Sequence, residues 1–133
     1  MIYLLDTDLC VYWLRGHTSV RQQINAIEPG DLAISIISVA ELHYGADCSN
    51  RPEHNHKVVD DFVNGLTVLT LKQPAARQFG EIKARLRGEG KLIEDFDLLI
   101  AATALTHDLT LVTNNLEHFK RIENLQIENW VPD

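Results

Sequence analysis

Ile2-Tyr3-Leu4-Leu5-Asp6-Thr7-Asp8 is the stretch that decides how this chain is built. Four apolar residues in a row are too few for a helix and read as a strand buried on both faces. The run stops on a carboxylate, a hydroxyl and a second carboxylate. In an open α/β sheet the carboxyl ends of the strands are where ligands bind, and an acid there is costly to bury without a positive partner. No Lys or Arg precedes Arg15, so a bound metal ion is the natural counter-charge, and the rest of the chain must supply its other ligands.

Working outward, strands and helices alternate. Residues 7–14 read as a short helix ended by Gly16, and residues 19–27 as a second, closed by Pro29-Gly30. Residues 32–37 form another buried apolar run. It leads through Ser38-Val39-Ala40-Glu41, a capping-box pattern, into a helix reaching about Cys48. A polar loop follows, with a helix beginning at Pro52 and ended by Asn64-Gly65. Residues 67–71 are a β-branched strand. Pro74 opens a long amphipathic helix with Ala75, Phe79, Ile82 and Leu86 on one face, broken at Gly88 and Gly90. Asp95-Phe96-Asp97 leads into an apolar helix to Leu105, residues 110–113 are a strand, and Asn114-Asn115 start a short helix ending near Lys120. A last strand lies near residues 125–127, before Trp130. This order predicts an α/β fold with a central, mostly parallel sheet of about five strands, helices on both faces and right-handed crossovers.

Length and composition agree. A chain of 133 residues with 45% hydrophobic and 23% charged residues is an ordinary single globular domain. No apolar run is long enough to span a bilayer and no basic-then-apolar leader is visible, so the expectation is a cytoplasmic protein with no membrane partner. Cys10 and Cys48 cannot make a disulfide framework, and the six histidines include no His-x-x-x-His pair. Zinc is therefore not expected, and Cys10, inside an apolar run, reads as a buried inert thiol. The net charge of -7 runs against a nucleic-acid partner. Two features soften this. Acids that hold cations present positive charge to a phosphate, and Lys72, Arg77, Lys83, Arg85, Arg87 and Lys91 put half of the 12 basic residues into one window. That window reads either as a solvated helix face or as a contact for an RNA backbone, with Arg85, Arg87 and Lys91 as the candidates.

Three acids stand in apolar surroundings at strand ends or helix starts: Asp6, Glu41 and Asp97. Asp97 heads a stripe of Ile100, Ala101 and Ala104 that must point inward. It is either a dipole-complementing residue or a ligand. Glu41 is either the partner of Ser38 in a capping box or a carboxylate one turn above the sheet edge that carries Asp6. Thr113 and Asn115 arrive at the same edge and can offer a neutral oxygen or a hydrogen bond to water, while Asn114 with Glu117 fits another capping pattern. Asp95 stands between N-cap and fourth acid, and Asp8 between helix start and outer-shell ligand. Oxygen ligands without Cys or His suit Mg²⁺ or Mn²⁺, and phosphoryl chemistry is the reaction class that uses such a site.

Leu4-Leu5-Asp6-Thr7-Asp8, Ser38-Val39-Ala40-Glu41-Leu42, Asp97-Leu98-Leu99-Ile100-Ala101 and Leu111-Val112-Thr113-Asn114-Asn115 resemble, in order and spacing, the PIN domain of VapC-type toxins. The resemblance extends to Tyr44-Gly45-Ala46 and to Glu128-Asn129-Trp130, so residues 1–133 are expected to form a single PIN domain. It implies a Mg²⁺- or Mn²⁺-dependent endoribonuclease that arrests translation, with Asp6, Glu41 and Asp97 as acidic metal ligands. It implies a homodimer, an RNA substrate, and a VapB-like antitoxin that masks the site and carries the operator-DNA-binding part. Two positions depart from the family's pattern. Asn115 stands where the family often has Asp, and Asp8 where relatives commonly have Asn, so at least one bound ion is expected and not necessarily two.

Two other functions fit parts of the sequence. A strand ending in Asp-x-Asp is also the nucleophile motif of haloacid-dehalogenase-like phosphatases, with Asp6 as the phosphorylated residue, although Asp60-Asp61 fits poorly as the later acidic pair. The other is a non-catalytic PIN-like interaction module.

Overall fold

The computed structural model describes residues 1–132. The elements run β1 (Tyr3–Leu5), α1 (Thr7–Leu14), α2 (Thr18–Asn25), a 3-10 turn (Pro29–Asp31), β2 (Leu32–Ser35), α3 (Ile36–Asp47), α4 (Pro52–Asn64) and β3 (Thr67–Leu69). Then come α5 (Gln73–Gly88), α6 (Asp95–Thr106), β4 (Thr110–Val112), α7 (Leu116–Phe119) and β5 (Ile127–Glu128). All pairings are parallel, in the order β3-β2-β1-β4-β5. The opening run is thus the middle strand, with Leu5 opposite Ile34 on one side and Val112 on the other.

Alternation along β1 builds two cores. Leu4 faces one side with Ala33 and Leu111, under α5 and α6, through Ala75, Ile82, Leu86, Leu98 and Ala101. Leu5 faces the other with Ile34 and Val112, under α1 to α4, through Leu9, Val20, Ile24, Leu42 and Val59. A strand covered on both faces must be apolar at every position, which is why the run has no polar residue before Asp6. Helix α6 lies deepest, with Leu98, Ile100, Ala101, Ala102 and Ala104 all fully buried. No helix is long and apolar enough to cross a membrane among the described residues.

Several sequence expectations are corrected at element boundaries. β2 ends at Ser35, and Ile36-Ile37 already belong to α3, whose N-cap is Ser35 with its Oγ accepting from Ile37 N at 3.1 Å. Ser38 is therefore a buried residue inside the helix, not a cap. β3 stops at Leu69, and the last strand is Ile127–Glu128, one to two residues later than expected. Asn114 does not cap α7; the N-cap position is Asn115, without a side-chain capping bond. Gly16 and Gly90 do end their helices as expected, each with a positive φ (81° and 69°) that a side chain would resist.

The strand order places the site. β1 is followed outward by β2 and β3 on one side, while β4 and β5 lie on the other, so the chain reverses direction across the sheet between β1 and β4. At such a reversal the connections leave the two strand ends in opposite directions and open a crevice at their carboxyl ends. Asp6 follows β1 into that crevice, and Thr113 follows β4.

Candidate active site

Asp6 directly follows the carboxyl end of β1 and is the N-cap of α1. Its Oδ1 accepts from Thr7 N at 2.8 Å, and its Oδ2 from the Thr113 hydroxyl at 2.8 Å. Only 4% of its surface is exposed. Burial, then the neighbouring Asp8, push its carboxyl from 3.8 up to about 8, against the pull of the two hydrogen bonds. Asp8 Oδ2 accepts from Asn114 N at 3.0 Å, and burial raises its carboxyl too. Its Oδ1 is buried with no hydrogen-bond partner, an unsatisfied anion oxygen beside a second carboxylate. Such an atom is costly unless a cation meets it.

Glu41 comes to this edge on α3, and a hydroxyl pair fixes it. Thr7 Oγ1 donates to Glu41 Oε1 at 2.7 Å and lies 2.8 Å from Ser38 Oγ, which is positioned to donate in turn. The Ser38 and Glu41 side chains thus meet through Thr7 rather than through backbone donors, which replaces the capping-box reading. Asp97, on the first turn of α6, is raised from 3.8 to about 6 by burial, then by Glu41, Glu94 and Asp8, with His118 acting the other way. Asp97 in turn raises Asp6. Asp97 therefore lies within electrostatic reach of Asp6, Asp8 and Glu41.

Thr113 is fully buried and ties the edge together, donating to Asp6 while accepting from Asn115 N at 2.9 Å. Asn115 turns its side-chain nitrogen to His118 Nδ1 at 2.8 Å. Asn114 places its amide between Tyr12 OH at 3.4 Å and Asn129 Nδ2 at 3.1 Å, so it belongs to the rim. Asp95 stands apart, its carboxylate bound to Lys83 Nζ at 2.8 Å on the surface between α5 and α6. Arg85 likewise reaches Glu123 at 2.8 Å, while Arg87 and Lys91 are exposed. Cys10 is buried as expected, and burial, then Asp6 and Asp8, push its thiol well above the usual range.

No site role for Thr7, Glu94 or His118 follows from the sequence, and Ser38 reads there only as a cap. Thr7 alone carried a signal, since it stands between two acids at a strand end; the partners of the others lie too far along the chain to be read locally.

Among the described residues, no three His, Cys, Asp or Glu side chains are gathered closely enough to enclose an ion as they stand. In kind the residues suit a hard divalent cation: the donors are oxygens, one of them is buried without a partner, and Asp6 and Asp97 are raised by burial and then by neighbouring carboxylates. The phosphatase alternative finds no support in this geometry. Asp60 lies against His43 and Asp61 against Lys57, both on α4 and apart from Asp6.

The PIN domain family model matches residues 3–125. A ribonuclease VapC2 of Haemophilus influenzae is 43% identical over 130 residues, covering 97% of this chain and 98% of that protein. A tRNA(fMet)-specific endonuclease VapC of Shigella flexneri is 36% identical over 129 residues, 96% and 97% of the two chains. Among solved structures, DNA-bound VapBC from Salmonella typhimurium superposes with a TM-score of 0.93 at 36% identity, over 98% of this chain and 99% of that one. VapBC2 from Rickettsia felis, bound to a promoter DNA fragment, gives 0.91 at 38% identity, over 98% and 100%. With an all-parallel sheet and acids converging where its strand order reverses, this chain belongs to the PIN domain family, in its VapC branch.

Proposed function

We propose that this protein is a Mg²⁺- or Mn²⁺-dependent endoribonuclease, the toxin of a VapBC-type pair, whose cutting of RNA stops translation. The observation that carries this reading is the acid set at the sheet reversal, where Asp6 and Asp97 are raised by burial and neighbouring carboxylates and Asp8 keeps a buried oxygen without a partner. Asp6, Asp97 and Glu41 would hold the ion, with Asp8 as an outer ligand. A cation held there would lower the pKa of an attacking water and stabilise charge on the phosphate. The chain's own contribution is positioning. Thr113 and Thr7 N fix both oxygens of Asp6, and Thr7 with Ser38 fixes one oxygen of Glu41, leaving its other oxygen for the ion. Asp95, held by Lys83, is not carried forward as a ligand.

The relatives named for RNA cleavage support RNA as substrate, and transfer RNA is the first class to test, since one such relative is a tRNA(fMet)-specific endonuclease. The solved VapBC complexes support a VapB-like antitoxin as partner, with operator DNA bound through it. A homodimer is part of the same proposal. Arg87 and Lys91, with Arg85, are proposed to follow the RNA backbone. The test is cleavage of transfer and total RNA by the purified, antitoxin-free chain in Mg²⁺ or Mn²⁺, lost in EDTA and in Asp6→Asn. Absence of metal-dependent cleavage across these pools would return the chain to a non-catalytic interaction module.

A further inference from the structure

The acid site has one base among the neighbours that act most strongly on it. His118 is the one imidazole close enough to Asp97 to act on its carboxyl. His118 is half-buried on α7, and its position is set by a continuous run of hydrogen bonds reaching the centre of the site. The Thr113 hydroxyl donates to Asp6 Oδ2 at 2.8 Å, Asn115 N donates to that hydroxyl oxygen at 2.9 Å, and the Asn115 amide meets His118 Nδ1 at 2.8 Å. With the amide nitrogen facing the ring, Asn115 donates and Nδ1 accepts, so the proton of the neutral imidazole sits on Nε2. This orientation gives Asn115 a use other than as a substitute acid: its side chain turns the ring and sets its tautomer.

A polyanion approaching four carboxylates meets repulsion that a bound cation offsets only at the ion itself. A fixed N–H donor at the rim supplies a contact that does not depend on the ion. We propose that His118 is a substrate-binding residue of this site, its Nε2–H donating to a phosphate oxygen of the RNA, with Asn115 as the residue that positions it. The assignment rests on the ribonuclease reading, and it names a chain-specific contact that the acid set alone does not provide. The competing role for His118 is closure of α7, as a basic residue in the last turn of that short helix.

Kinetics and nitrogen NMR separate the two. With the RNA pool that the wild type cleaves, His118→Ala raises KM about tenfold, the loss of one hydrogen bond to a charged group, and leaves kcat within about threefold. His118→Gln, which keeps a side-chain N–H donor, recovers most of the loss. Asn115→Ala raises KM by a smaller factor. In EDTA, where nothing is cut, the ¹⁵N spectrum of the wild type shows the Nε2–H tautomer at His118, and adding a short single-stranded RNA oligonucleotide shifts its Nε2 signal. A role in closing α7 predicts a lower melting temperature in His118→Ala with KM unchanged and no ring response to the oligonucleotide; that result overturns the assignment while cleavage by the wild type leaves the ribonuclease reading standing. A wild type that neither binds nor cuts RNA overturns both.

Discussion

Replacing Asp6 with Asn should make the ion-free protein more stable while abolishing cleavage. In the unfolded chain this carboxyl ionises near 3.8, whereas burial and Asp8 hold it protonated to about 8 in the fold. Between those values folding takes up a proton, so stability from this group is fully present below 3.8 and is lost as pH rises to about 8. At about 1.36 kcal/mol per pH unit, the cost at full ionisation is ~6 kcal/mol. Asp97 adds a smaller loss confined to the range from 3.8 to about 6. Asn keeps the shape and can still accept from Thr7 N, and Thr113, already 3.4 Å from Asp8 Oδ2, can turn its hydroxyl there. Subtracting about 2 kcal/mol for the charge-assisted bonds leaves ~4 kcal/mol of stabilisation for Asp6→Asn at pH 8.5. That is roughly 15 °C in melting temperature for a domain of this size. The assay is thermal and urea unfolding of both proteins in EDTA at pH 5, 7 and 8.5, repeated with Mg²⁺ or Mn²⁺. The wild type should weaken as pH rises and regain stability with the cation, and the variant should do neither to the same degree. Wild-type stability that is flat from pH 5 to 8.5, or a variant no more stable at pH 8.5, refutes the reasoning.

Three further outcomes are expected. Thr7→Val keeps the helix start but removes the hydroxyl that holds Glu41, so cleavage should fall about tenfold or more while the melting temperature, read by calorimetry, moves by only a few degrees. Thr113→Val strips a bond from Asp6 and one from Asn115 N together; urea unfolding should show a loss of about 1–3 kcal/mol, and cleavage should fall with it. Reversing Arg85 and Arg87 to Glu should weaken RNA binding and flatten its dependence on salt, and unchanged affinity in a filter-binding series would return these residues to a solvated helix face.

The sheet was legible because its signal is local. A strand covered on both faces is apolar, as β1 is throughout and as β2 and β4 are apart from Ser35 and Thr110 at their ends. The limits of β2 were not, because Ile36 and Ile37 continue the apolar run while the backbone has already turned helical; Ser35 and Ser38 are both capping residues in composition, and only tertiary packing decides between them. Asp6, Glu41 and Asp97 stood out as acids in apolar surroundings. What fixes them did not stand out, since Thr7 reaches across 34 positions to Glu41 and Thr113 across 107 to Asp6. Pairing of Lys83 with Asp95 and of Arg85 with Glu123 was equally invisible, and it turned part of an apparent basic stripe into neutral couples.

The opening strand occupies the middle of the sheet, and its neighbour β4 is among the last elements to be made. A ribosome therefore releases the first acid long before the hydroxyl that orients it, with α6 and its carboxylate also still to come. Any chain cut short after α5 carries Asp6, Asp8 and Glu41 but not Asp97, and an exposed apolar edge where β4 should lie. Such fragments are prone to aggregate and have no means of cutting RNA, so a cell translating this message meets an armed enzyme only after nearly the full length has emerged.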